Sequence, residues 1–172
     1  LEDARVLASG DLDEFKIQKL IGHGADCDAF GVGTALVTSK DLPALSGVYK
    51  LTAVRKNGRW KPKIKLSEEK ATYPGMKQVY RERDGEGRFR RDILCTDDED
   101  PPDGTEPLLE PLMQDGELVR DLPELEDIRD RTAEQLRDLP EQYKKLREPD
   151  SYPLHISEKL EERRDTIARK MM

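Results

Sequence analysis

The chain has 172 residues, with 30 Lys and Arg against 37 Asp and Glu, a net charge of −7, and only 35% hydrophobic and 5% aromatic residues. That length holds one ordinary domain, but so little apolar material predicts a small core and much surface that is solvated or covered by a partner. No apolar run reaches membrane-span length, and two distant cysteines, Cys27 and Cys95, without zinc-type spacing, fit a reducing cytoplasm.

Arg5-Val6-Leu7-Ala8 is a short apolar run closed by Ser9-Gly10 and predicts a buried parallel strand. Asp11 or Asp13 caps the next helix, where Phe15, Ile17, Leu20 and Ile21 recur at helical spacing before Gly22 and Gly24 end it. Cys27 to Val32 predicts a second strand, leading into Gly33-Thr34 and a short helix or loop over Ala35–Ser39. Strand, turn, helix, strand is a βαβ unit. Both polar turns fall at the carboxyl ends of its strands, the end at which α/β folds bind ligands. Gly31 and Gly33 leave room for close backbone approach, so N–H groups there can meet an anion. The Thr34 hydroxyl adds a donor, and Ser9 and Gly10 face the same point from the neighbouring strand. The ligand this pattern favours is a phosphate monoester; the alternative is a pair of ordinary glycine turns.

Ser46-Gly47 marks a boundary, so residues 1–46 form a first segment. Val48–Val54 and Trp60–Leu66 predict two strands joined at Asn57-Gly58, the favoured hairpin signal, with turns next at 67–70 and 73–75. Strands over Lys77–Arg83 and Phe89–Cys95 complete an antiparallel meander within a segment 47–120. From Lys50 to Arg91 there are fourteen basic residues against five acidic; from Asp92 to Asp127 there are fourteen acidic against one basic, Arg120. The basic residues alternate with apolar ones, as in Lys63-Ile64-Lys65-Leu66, which predicts a solvated outer sheet face rather than a nucleic-acid surface. Pairing between the two blocks holds them together at roughly 0–1 kcal/mol per surface pair.

Asp97–Thr105, acidic and proline-rich, predicts a mobile surface loop, and Pro107–Met113 an edge strand. The last segment, 121–172, predicts a helical tail. Asp121 with Glu124 forms a capping-box variant for a helix running to Leu139, with Leu125, Ile128, Thr132, Leu136 and Leu139 on one face and Pro140 as its stop. Tyr143 and Leu146 mark a short second helix, and Ser157 caps a last one that buries Leu160, Ile167 and Met171.

The runs ASGDLDEFKI, DAFGVGTALVTS and GVYKL, then KPKIKLSEEKATYPGMKQVYR and the tail SYPLHISEKLEERRD, together resemble the C-terminal part of nicotinate phosphoribosyltransferase. The resemblance covers essentially the whole chain. It implies the last part of an irregular, TIM-like α/β barrel, followed by the antiparallel segment and the tail. It also implies formation of nicotinate mononucleotide and pyrophosphate from nicotinate and phosphoribosyl pyrophosphate, with coupled ATP hydrolysis, Mg2+ and a homodimer. Carried over by position, Ser9, Gly10, Gly33 and Thr34 are the expected 5′-phosphate site. Asp11 is expected to cap its helix rather than face the phosphate. No catalytic or metal-ligating residue is expected here: the phosphorylated histidine of the family lies upstream, and His23 and His155 read as structural. A role with phosphates is conceivable for Lys70, Lys77, Tyr80 and Arg81, but no motif assigns one. Glu68 and Glu69, adjacent in sequence, splay apart. The expected chain is a C-terminal fragment, inactive alone, that needs an N-terminal half. A nicotinamide-type enzyme half and a non-catalytic phosphate-binding or assembly module remain the alternatives.

Overall fold

The computed structural model describes residues 3–44, 46–65 and 72–171. The chain divides into two compact units, Leu1–Tyr49 and Lys50–Met172.

In the first unit, β1 (Leu7–Ser9) leads through Gly10-Asp11 into α1 (Glu14–Gly22), β2 (Ala29–Gly31) and the five-residue α2 (Thr34–Thr38). β1 and β2 pair in parallel, Leu7 with Ala29 and Ser9 with Gly31, so the expected βαβ unit is present. Asp13 rather than Asp11 is the cap of α1: its Oδ1 accepts a hydrogen bond from Lys16 N at 2.7 Å. Asp11 is instead in left-handed backbone at φ 46°, behind Gly10 at φ 111°, and belongs to the turn. The expected helix end also holds, with Gly24 at φ 76° just past the His23 cap and the His23 ring donating from Nδ1 to Lys19 O at 2.6 Å. Burial differs from expectation. Val6 and Leu7 are more than half exposed, as are Leu36 and Val37, because among the described residues the two-stranded sheet has nothing on either outer edge.

The second unit opens with the hairpin β3 (Ala53–Lys56) and β4 (Arg59–Pro62), turned at Asn57 and Gly58 with φ 52° and 74°. Positive φ at both positions is what a type I′ turn demands. The strands are shorter than expected, since Pro62 removes a ladder donor, and β4 is exposed at every position. Residues 63–65 keep the alternation, the lysines exposed and Ile64 half-buried. The hairpin does not extend into a meander with the next two strands: β5 (Lys77–Arg83) and β6 (Phe89–Thr96) belong to another sheet, flanked by β7 (Thr105–Pro107). A second small hairpin joins β8 (Met113–Gln114) to β9 (Glu117–Leu118).

α3 (Leu125–Asp138) starts four residues later than expected, with Glu124 as N-cap and no side-chain capping bond. Pro123 disfavours helical backbone at Leu122, which moves the start past it. The tail is not helical throughout. β10 (Leu154–Ile156) pairs in parallel with β6, giving the order β10-β6-β5-β7, and leads straight into α4 (Glu158–Arg169). Three residues are too short for a periodicity signal, and the long crossover from β6 supplies the parallel partner. Ser157 caps α4 as expected, accepting from Leu160 N at 3.2 Å, and Leu160 is fully buried while Met171 is exposed.

The core is small, as the composition predicts: Tyr80, Ile93 and Cys95 form its centre, with Phe89 and Leu160 buried nearby. Arg81 makes a bidentate pair with Asp92, both bonds 2.9 Å, and lies over the Phe89 ring at 4.1 Å. The hydrogen bonds that Arg81 donates to Asp92 raise its pKa further, and burial followed by the Asp92 charge pushes the Tyr152 hydroxyl up to about 12. The acidic segment after β6 is anchored at its start rather than loose. Asp98 pairs with Lys159 and Arg163, and Glu99 accepts hydrogen bonds from Thr96 N and Ser157 Oγ, all near the N-terminus of α4. No helix among the described residues is long and apolar enough to cross a membrane.

Candidate functional site

The two polar turns of the first unit meet at one cavity of about 550 Å³. Its lining includes Gly10, Gly33 and Thr34 from the expected site, together with Gly31, Lys16 and Lys40. Ser9 is not among the lining residues. It ends β1 in register with Gly31, where a Cβ would stand 3.2 Å from Ser9 Cβ. Glycine at 31 therefore serves the close approach of the two strands.

The local sequence explains why donors gather here. Leu36 and Val37 both donate to Gly33 O, so α2 starts at Thr34 and the N–H groups of Thr34 and Ala35 have no acceptor within the helix. Gly33 has φ −102° and ψ −109°, and a Cβ there would meet nothing within 4 Å. Gly10, at φ 111°, takes a conformation that L side chains rarely adopt, and it turns the chain at the end of β1. Parallel pairing of β1 with β2 brings these two turns side by side.

Charge around the cavity is mixed. Asp13 is engaged as a helix cap, and Lys16 Nζ donates to Asp11 O at 2.5 Å. Asp11 also lines the cavity, and with Asp13 taking the cap its carboxylate plays no part in capping α1. A carboxylate there disfavours a phosphate directly against it but accepts hydrogen bonds from hydroxyl groups. Residue types alone signalled the glycines and Thr34. Lys16 and Lys40 carry no such signal, since one lies in a helix turn and the other beyond a left-handed residue, Ser39 at φ 44°, that no pattern announces.

The other singled-out residues lie in the second unit, where Lys77, Tyr80 and Arg81 have structural partners. Lys77 Nζ donates to Tyr73 O at 3.0 Å and Gly75 O at 2.6 Å, tying down the turn around Pro74, and burial lowers its pKa. Tyr80 is in the core and Arg81 is bound to Asp92. His155 is exposed on β10. Lys70, Glu68 and Glu69 lie outside the described residues.

A family model described as the nicotinate phosphoribosyltransferase C-terminal domain matches residues 103–164. The chain is 36% identical to a nicotinate phosphoribosyltransferase of Bacillus subtilis, over 91% of this chain and 37% of that protein. It is 38% identical to one of Mycobacterium tuberculosis, over 93% of this chain and 34% of that protein. Its mixed α/β fold superposes on the crystal structure of human nicotinic acid phosphoribosyltransferase with a TM-score of 0.74 and 25% identity, covering 97% of this chain and 34% of that one. The chain thus spans about a third of the length of the relatives it matches. By sequence and by fold, it belongs to the nicotinate phosphoribosyltransferase family and matches that family as a C-terminal portion.

Proposed function

We propose that this chain supplies the 5′-phosphate cradle of a nicotinate phosphoribosyltransferase. The complete enzyme forms nicotinate mononucleotide and pyrophosphate from nicotinate and phosphoribosyl pyrophosphate, coupled to ATP hydrolysis, as a step of NAD salvage. The observation that carries the reading is the meeting of Gly10, Gly33 and Thr34 at one cavity that is also lined by Ala35, the N–H groups of Thr34 and Ala35 having no acceptor within α2. Backbone donors of this kind suit a phosphate, because glycine lets the chain approach the oxygens closely. The Asp11 carboxylate, released from capping, is placed to accept hydrogen bonds from the ribose hydroxyls of the same ligand. Ser9 supports the site from behind, by packing on Gly31.

In this reading the first unit is a slice of a TIM-like barrel. A two-stranded parallel sheet is not stable alone, and its bare edges together with exposed Val6, Leu7, Leu36 and Val37 are what further barrel strands and helices would cover. An N-terminal portion supplies the nicotinate clamp and the histidine that couples ATP, and the enzyme works as a cytoplasmic homodimer. Mg2+ belongs to that complete enzyme. Among the described residues no group of three or more His, Cys, Asp or Glu side chains is placed to hold a metal ion.

The reading is tested by a chimera in which this chain replaces the corresponding C-terminal portion of the Bacillus subtilis relative. Formation of nicotinate mononucleotide from nicotinate and phosphoribosyl pyrophosphate is expected. A folded chimera that binds nicotinate but not phosphoribosyl pyrophosphate would overturn it.

A further inference from the structure

Lys40 lines the same cavity as Gly10, Gly33 and Thr34, and among the described residues nothing takes its ammonium group. Lys16, the other cation there, is engaged with Asp11 O. The placement of Lys40 comes from how α2 ends. Ser39 turns left-handed at φ 44° and ψ 59°, Ser39 N donates to Leu36 O, and Lys40 N returns to Ala35 O at 3.2 Å. A five-residue helix is about 7.5 Å long. A lysine folded back at its far end is therefore still within side-chain reach of the cavity at its start. Serine adopts left-handed backbone only at a cost, and here that conformation is what directs the chain back at Lys40.

Neutral backbone N–H groups attract any anion, but a full positive charge gains in proportion to the charge of the ligand. We propose that Lys40 is the counter-charge of the phosphate held by the Gly10, Gly33 and Thr34 turns, and that it makes the site prefer a dianionic phosphate monoester over singly charged anions. The proposal rests on the phosphate reading of this cavity and adds the residue that sets its charge preference. Of the acidic groups lining the cavity, Asp13 is held by the helix cap. Asp11 is the carboxylate left to oppose the ligand, and Lys40 offsets it.

The test uses the complete chimera described above, isotope-labelled at glycine and threonine, at low salt, where surface charge is least screened. Inorganic phosphate and, separately, formate are titrated while the amide signals of Gly10, Gly33 and Thr34 are monitored. Lys40→Gln should weaken phosphate binding about five- to thirtyfold, as one ammonium facing a dianion in a water-exposed site implies, and formate binding only about two- to fivefold. Lys40→Arg should stay close to the parent. Lys19→Gln, the same charge change on α1 away from this cavity, should leave both titrations unchanged. If the parent amides respond to phosphate and Lys40→Gln binds it equally well, the Lys40 proposal is wrong while the phosphate reading stands. Equal weakening for phosphate and formate removes the charge preference. If the parent amides do not respond to phosphate at all, the phosphate reading fails and the Lys40 proposal with it.

Discussion

Three residues a few positions apart do different work in the first turn, and substitution separates them. Gly10 sits at φ 111°, so Gly10→Ala places a Cβ in disfavoured backbone, with an expected cost of about 1–3 kcal/mol in stability. Asp13 holds the N-cap of α1, so Asp13→Ala should cost about 0.5–2 kcal/mol. Asp11 lines the cavity without capping, so Asp11→Asn should leave stability nearly unchanged while weakening the binding of a phosphorylated ribose. Urea titration of the three variants, each against the parent, checks the order. Equal destabilisation by the Asp11 and Asp13 substitutions would show that the cap is shared. The sequence offered both aspartates as caps, and the choice between them lay in the backbone: a glycine at φ 111° followed by an aspartate at φ 46° consumes Asp11 in the turn. Such left-handed pairs have no side-chain signature beyond the glycine itself.

Among the elements, α4 and the acidic segment after β6 form a clasp that depends on two carboxylates. Hydrogen bonds from Thr96 above all, then Lys159 and Arg163, hold the Asp98 pKa well below its ordinary value. For Glu99 burial opposes the charge, but bonds from Ser157 and Thr96 outweigh it, and its pKa is lowered too. Groups with depressed folded values contribute fully above the unfolded values, near pH 4, and lose that contribution as pH falls from there through the folded values. Amide protection of α4 should therefore hold down to about pH 5 and then decline, and Glu99→Gln should reduce the acid-dependent part of the loss. A decline of α4 protection already between pH 8 and 6 would contradict this. Leu160, fully buried against the sheet, fixes the same helix, and Leu160→Ala should cost about 2–5 kcal/mol by thermal or urea unfolding. Long periodic or strongly capped stretches were legible in the sequence: α1, the Asn57-Gly58 hairpin, β5, β6 and the Ser157 cap. Short pieces held by distant partners were not. β10 is three residues that become a strand only beside β6, and the acidic run after Thr96 looks loose until Ser157, Lys159 and Arg163 are brought against it.

For the molecule as a whole, the proposed role is one part of an active site rather than a complete one. Catalysis needs groups positioned from several elements, and a phosphate cradle supplies binding only. The 172-residue chain assayed with nicotinate, phosphoribosyl pyrophosphate, ATP and magnesium should show no turnover above background, and measurable turnover would contradict the assignment of the remaining machinery to another portion. Family membership was legible because several runs of the sequence agree in order and spacing. The two lysines of the cavity were not, because their place depends on the pairing of β1 with β2 and on the reversal at Ser39. The most direct measurement is a pair of titrations on the complete chimera, with and without Gly33→Val. No atom lies within 4 Å of a Cβ at Gly33, so the valine meets no neighbour there, and the titrations are made on a variant shown by circular dichroism to be folded. Its added bulk should remove one or two charge-assisted hydrogen bonds, at roughly 1.5–3 kcal/mol each, and weaken phosphoribosyl pyrophosphate binding by about one to four powers of ten. Nicotinate affinity should change far less. Unchanged affinity for phosphoribosyl pyrophosphate in the folded variant would mean that the phosphate is held elsewhere and that these glycines only turn the chain.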